Sequence, residues 1–187
     1  MGNKARVLLL GLSTAGKDAL SEILQEKYGL ASMPSSYMAF KIFIFDIFKE
    51  KYGYQTLEEC YEKRHNHRDE LFQLISDFNK DDPARLAKLI MKDCDIYTGM
   101  RSKRELDACK EQGVFTHVFW IDASKRISFK EPLSSCEVTE DMADYTVDNN
   151  GSLKQLEYYA DAIYGMVTED LSLQQKMVLL DKPTTTI

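Results

Sequence analysis

Apolar positions along this chain follow two alternating rhythms. Val7 to Leu10 is an unbroken apolar run that ends at Gly11, the pattern of a central parallel strand buried on both faces. Directly after it, Leu20, Ile23, Leu24 and Tyr28 recur at helical spacing, and Gly29 predicts the helix stop. Residues 35–52 carry Phe40, Phe43, Ile44, Ile47 and Phe48 and predict a mostly buried helix, with Asp46 as the acid inside the apolar run. A charged helix is predicted over 56–78, and another over 84–92, with Pro83 near its start, where a missing amide does little harm.

Residues 95–99 read as a second buried strand leading into a loop. Residues 102–112 read as a helix whose opening S-K-R-E, Ser102 to Glu105, fits a capping box. Residues 114–121 are a third strand ending at Asp122. The segment 123–141 has no clear period and is expected to be a lid or an irregular connection. A short strand at 145–147 and a turn at 148–151 precede a last helix marked by Leu153, Leu156, Ala160, Ile163 and Val167; the tail 181–187 is expected to be loose. Alternating strands and helices of these lengths predict one α/β domain over residues 1–187, a parallel sheet flanked by helices.

Composition narrows the partners. With 187 residues, 44% hydrophobic and 29% charged, the chain matches an ordinary globular domain with a full core. A net charge of -6 argues against general coating of nucleic acid but leaves room for a local basic pocket. Cys60, Cys94, Cys109 and Cys136 form no C-x-x-C pair and read as reduced thiols of a cytoplasmic protein, with no zinc or disulfide implied. No apolar run has membrane-spanning length, and Arg6 stands where an N-myristoylation signal needs a hydroxyl.

The chemistry concentrates at Gly11-Leu12-Ser13-Thr14-Ala15-Gly16-Lys17-Asp18. This stretch fits the phosphate-binding pattern G-x-x-x-x-G-K-S/T except at its last position. Glycines at 11 and 16 permit backbone turns that aim successive amides inward, the following helix adds its positive end, and Lys17 supplies a cation for the terminal phosphates. Strand before and helix after are the context this motif requires. The expected fold is therefore a three-layer P-loop NTPase type, and the expected ligands are ATP and Mg2+. Asp18 replaces the usual hydroxyl. It is read as a direct or water-mediated magnesium ligand, or else as an acid favoured by the helix dipole.

Other residues bear on transfer. Arg101 follows a strand at the end where open α/β sheets bind ligands, and is read as a phosphate or acceptor contact; the alternative is a surface pair with Glu105. Lys125 and Arg126 are candidates to close over a triphosphate. Lys63-Arg-His-Asn-His-Arg68 is the densest basic cluster, with Arg64 and Arg68 on one face if helical. It suits an acceptor phosphate, a DNA strand or a solvated face. His65 and His67 would be split across a helix and do not read as a zinc pair, and His117 reads as structural. Asp46 is a candidate general base if buried, since burial would raise its pKa, and otherwise an acid on an exposed edge. Tyr37, Phe40 and Phe43 are candidates for stacking on a base or for core.

GLSTAGKD at the start, Gly99-Met-Arg101 followed by RELDACKEQG, and the late DYTVDNNGSLKQL together resemble the tailed-phage P-loop nucleotide kinases. The likeness spans almost the whole chain. That group includes deoxynucleoside monophosphate kinases and the small kinases that phosphorylate 5-hydroxymethyluracil within phage DNA during thymidine hypermodification. The resemblance implies an enzyme of the host cytoplasm that moves the γ-phosphoryl group of ATP to a nucleotide unit. The monophosphate kinases tend to carry an acid two residues before the loop arginine, where this chain has Gly99. That departure favours the hydroxymethyl acceptor in DNA. The acidic net charge favours a free deoxynucleoside monophosphate, and the altered Asp18 position leaves a non-catalytic nucleotide-binding protein as a third expectation.

Overall fold

The computed structural model describes residues 5–127 and 136–169. Strands β1 (Val7–Leu10), β2 (Ile96–Thr98), β3 (His117–Asp122) and β4 (Tyr145–Asp148) form one sheet in the order β2-β1-β3-β4. All pairings are parallel, with Leu8 beside Tyr97 on one side and Val118 on the other. The helices are α1 (Lys17–Tyr28), α2 (Ser35–Ala39), α3 (Phe45–Tyr52), α4 (Leu57–Glu62), α5 (Arg68–Phe78), α6 (Arg85–Asp93), α7 (Lys103–Glu111) and α8 (Leu153–Thr168).

Strand geometry explains why two cores exist. Successive side chains point to opposite faces, so Leu8 and Leu10 enter one core while Val7 and Leu9 enter the other. The first core takes Phe40, Phe48, Leu86, Ile90, Leu106 and Cys109. The second takes Leu20 and Leu24 of α1 with Leu156, Ala160 and Ile163 of α8. Helices therefore cover both faces of a parallel sheet, an α/β arrangement compatible with a three-layer fold. The four cysteines are buried and none is joined to another. Among the described residues no helix is long and apolar enough to cross a membrane.

Several local expectations are corrected. The helix predicted over 35–52 widens into a π-helical turn at Phe40–Ile44 between α2 and α3. Ile44 and Phe48 are buried four residues apart, so Asp46, midway between them, points outward and is exposed. The buried carboxylate considered there is not found. The helix predicted over 56–78 is broken by a 3-10 turn at Lys63–His67. His67 is held at the break by the Tyr54 hydroxyl at 2.7 Å and packs against Tyr52, with ring centroids 4.1 Å apart. Arg64 and Arg68 therefore share no α-helical face. Arg64 lies instead over the Tyr61 ring at 4.0 Å, and Lys63 pairs with Glu59.

The capping box at Ser102 is also absent, because Ser102 makes no side-chain cap. The Lys103 amide donates to Glu137 Oε2 at 3.0 Å, and Glu105 turns inward to accept from the Tyr97 hydroxyl at 3.1 Å. The segment expected as a lid, 123–141, is anchored where it is described. Cys136 and Val138 lie in the core, and the Glu137 amide donates to the Arg101 carbonyl at 2.8 Å. Residues 128–135 of that segment, and the tail 181–187, lie outside the described residues.

Candidate functional site

The loop between β1 and α1 lies between turns that follow the other strands. Thr14 at φ 62° and Gly16 at φ 98° are left-handed, so the loop curls back on itself. Lys17 stands at the head of α1 and reaches across this curl. Its ammonium donates to the Gly11 carbonyl at 2.8 Å and to the Leu12 carbonyl at 2.7 Å. Gly16 is the N-cap of α1, and no side chain caps the helix there. A half-buried cation thus sits within a ring of backbone at a helix N-terminus, an arrangement that favours anions.

The turn after β4 fixes the loop from behind. The buried Asn149 donates its side-chain amide to the Ala15 carbonyl at 2.7 Å. A Cβ on Gly16 would fall 2.2 Å from that amide nitrogen, so only glycine fits. Arg126 Nε donates to the Asn149 carbonyl at 2.5 Å, and its guanidinium lies 3.8 Å from the same Gly16 position. Asn150 joins the two turns, donating to Asp122 Oδ2 at 2.9 Å and Asp148 Oδ1 at 2.6 Å. That amide holds the Asp148 carboxyl below the usual carboxylate range.

Arg101 approaches from the opposite side, on the loop after β2. Its Nη2 lies 3.4 Å from Ser13 Oγ. Gly99, two residues earlier, sits at φ 96°, and a Cβ there would fall 2.6 Å from Ser35 Oγ. An acid at this position would meet both a strained backbone and an occupied space. Asp18 lies in the first turn of α1 with an exposed side chain.

A cavity of about 270 Å³ opens beside Arg101 between α5 and α7. Phe72, Ile75, Asn79, Arg101, Arg104 and Glu105 contribute to its lining. Phe72 is 77% exposed. The Glu105 carboxyl is pushed up to about 7 by burial, which outweighs the opposing effect of the Tyr97 hydrogen bond. The Tyr97 hydroxyl is in turn pushed well above its ordinary range, by burial first and by Glu105 second.

Gly11 to Lys17, Arg101 and Arg126 are thus brought together around the loop. Asp46 on α3 does not line the cavity. Phe40 and Phe43 are spent on packing. Phe40 meets Phe48 edge-on at 5.9 Å, Phe43 stacks on Phe78 at 4.2 Å, and Tyr37 packs edge-on against Tyr61 at 5.1 Å. His65 and His67 form no metal cluster, and among the described residues no group of three His, Cys, Asp or Glu side chains is placed to hold a metal. Three residues to which sequence reasoning gave no role in the site are Glu105, Phe72 and Asn149. An acid four residues after Arg101 resembles a surface partner, and an aromatic inside a charged helix resembles packing. Asn149 was visible only as part of a turn.

No protein-family model matches the chain, and no curated protein matches it in sequence.

Proposed function

We propose that the protein is an ATP-dependent phosphotransferase of the P-loop kinase class. The acceptor is a nucleotide unit, namely the 5-hydroxymethyl group of uracil in DNA. The observation that carries the first part is the Lys17 ammonium held against the Gly11 and Leu12 carbonyls inside the curled loop at the head of α1. That geometry suits the β- and γ-phosphates of a nucleoside triphosphate, with backbone amides and Lys17 sharing the charge. Arg126 flanks the loop on one side and Arg101 on the other, two cations suited to the charge that spreads over the transferring group.

Asp18 fits the magnesium ion that such a reaction uses. Magnesium commonly takes one or two carboxylates together with phosphate oxygens and waters, and an exposed carboxylate beside Lys17 meets that need. When bound, the ion would neutralise phosphate charge. The chain's own contribution is positioning: the loop holds the donor, Arg101 steadies the transferred group, and the cavity beside Arg101 receives the acceptor.

Two features support the DNA-borne acceptor. Gly99, at a left-handed φ and against the Ser35 hydroxyl, disfavours the acid that monophosphate kinases tend to carry there. Arg68 lies one helical turn before Phe72 on α5, an exposed cation on the helix that borders the cavity and suited to a backbone phosphate. A free deoxynucleoside monophosphate is the second reading, favoured by the net charge of -6. Incubating the protein with γ-labelled ATP, Mg2+ and either 5-hydroxymethyluracil DNA or free monophosphates tests both. Label entering the DNA is the expected result, label in free diphosphates alone would select the second reading, and no transfer at all would leave only nucleotide binding.

A further inference from the structure

We infer that the cavity between α5 and α7 is the acceptor subsite, that it takes an alcohol borne on a heteroaromatic ring, and that Glu105 removes the hydroxyl proton. The inference rests on the phosphotransferase reading and deepens it.

Arg101 supplies the connection. It lines the cavity and also reaches Ser13 of the glycine loop, so an acceptor in the cavity lies next to the place where that loop would hold a terminal phosphate. The cavity has one flat apolar group at its mouth: Phe72, on the stripe of α5 that continues through Ile75 and Asn79. An aromatic left 77% exposed at a cavity rim suits stacking against a base. A base reaches such a cavity only outside its duplex stack, which fits an enzyme that does chemistry on the base itself.

Glu105 decides between acceptor chemistries. Its Oε1 accepts from the buried Tyr97 hydroxyl at 3.1 Å, and among the described residues no donor is seen on Oε2. A carboxylate is a poor neighbour for an incoming phosphate and a good one for an alcohol that must lose a proton. The groups facing it are Tyr97 of β2, Cys109 one turn further on α7, and Arg101 and Arg104 at the cavity. Arg104 is tied to the Lys80 carbonyl at 3.0 Å. Titration at about 7 keeps a useful fraction of Glu105 ionised at neutral pH while leaving it basic enough to act.

In the step itself, the acceptor oxygen uses a lone pair to form a bond to the γ-phosphorus of ATP. The bond from that phosphorus to the β–γ bridging oxygen breaks, and its electron pair leaves with ADP. The hydroxyl proton passes to the Glu105 carboxylate and is later released to water. Products are the phosphate monoester and ADP.

The test uses the full chain, γ-labelled ATP and, as acceptors, a 5-hydroxymethyluracil oligonucleotide and dTMP. The wild-type protein is expected to label the oligonucleotide, with kcat rising through about pH 7. Glu105→Gln preserves shape and is expected to lower kcat by roughly 10²–10⁴-fold, with little change in acceptor KM or ATP affinity and a flattened pH profile. Tyr97→Phe removes the bond that lowers the Glu105 pKa, so the rising limb should move to higher pH while the carboxyl stays in place. Glu105→Gln with wild-type kcat and pH profile, an unmoved limb in Tyr97→Phe, or transfer to dTMP alone overturns this inference and leaves the phosphotransferase reading standing. No transfer by the wild-type protein to either acceptor overturns both.

Discussion

The side-chain amide of Asn149 donates to the backbone carbonyl of Ala15 at 2.7 Å, tying the turn after β4 to the glycine loop. The same asparagine accepts from Arg126 through its own backbone carbonyl. One buried residue therefore sets both the back wall of the loop and the position of a flanking cation.

Asn149→Ala should expose that dependence. It removes the partner of the Ala15 carbonyl in a buried setting, which costs about 1–3 kcal/mol. Urea unfolding midpoints would register the loss. Affinity for a fluorescent ATP analogue should fall as well, because the loop loses its brace. Stability and affinity both at wild-type values would mean that the loop is held by other contacts.

Lys17→Ala separates binding from folding. The lysine side chain is half-buried, its ammonium donates to loop carbonyls, and it belongs to neither hydrophobic core. The expected outcome is loss of phosphoryl transfer with circular dichroism and thermal midpoint close to wild type. Near-normal turnover would refute the assigned phosphate site.

The order of elements and the glycine loop were legible in the sequence because both rest on local signals. A continuous apolar strand, a glycine-flanked turn and a helical period sit within residues 7–28. Arg101 was legible because sheet topology alone sends residues after parallel strands to one edge. Arg126 was read from its charge in an irregular segment and not from the Asn149 carbonyl that holds it. Glu105 was not legible, since its role depends on burial against Tyr97 and on the helix end being capped by Glu137 instead. The break at His67 was hidden for the same reason: contacts with Tyr54 and Tyr52 override a helical sequence. Asp46 misled because composition shows an acid among aromatics but not which side of the helix it occupies.

Glu105 also predicts how stability varies with pH. Unfolded, its carboxyl titrates near the ordinary 4.5; folded, it titrates at about 7. Between these values the folded protein holds a proton that the unfolded chain has lost, so stability declines as pH rises through the window. The loss is on the order of 3 kcal/mol at most, from about 1.4 kcal/mol per pKa unit. Glu105→Gln has no such titration. Its stability relative to wild type should be lowest near pH 4.5 and should grow until about pH 7, then level off. Unfolding curves for the two proteins across that range would test the sign, and a constant difference would show that Glu105 titrates normally.

Gly99→Asp asks whether a missing acid reflects chemistry or space. The substitution introduces a carboxylate at the place where the monophosphate kinases tend to carry one, two residues before the loop arginine. Here, however, residue 99 sits at φ 96°, and its new Cβ would lie 2.6 Å from Ser35 Oγ. Aspartate tolerates left-handed backbone better than most residues, so the strain is modest, about 1–3 kcal/mol, and the overlap with Ser35 adds to it. Removing the hydroxyl in Gly99→Asp/Ser35→Ala should recover the steric part, once the cost of Ser35→Ala alone is subtracted, and leave the backbone part. Urea midpoints of the single and double variants separate the two contributions. Unchanged stability in Gly99→Asp would mean that the loop after β2 relaxes freely, and Arg101 would then lose the fixed approach to Ser13 on which its assigned role depends.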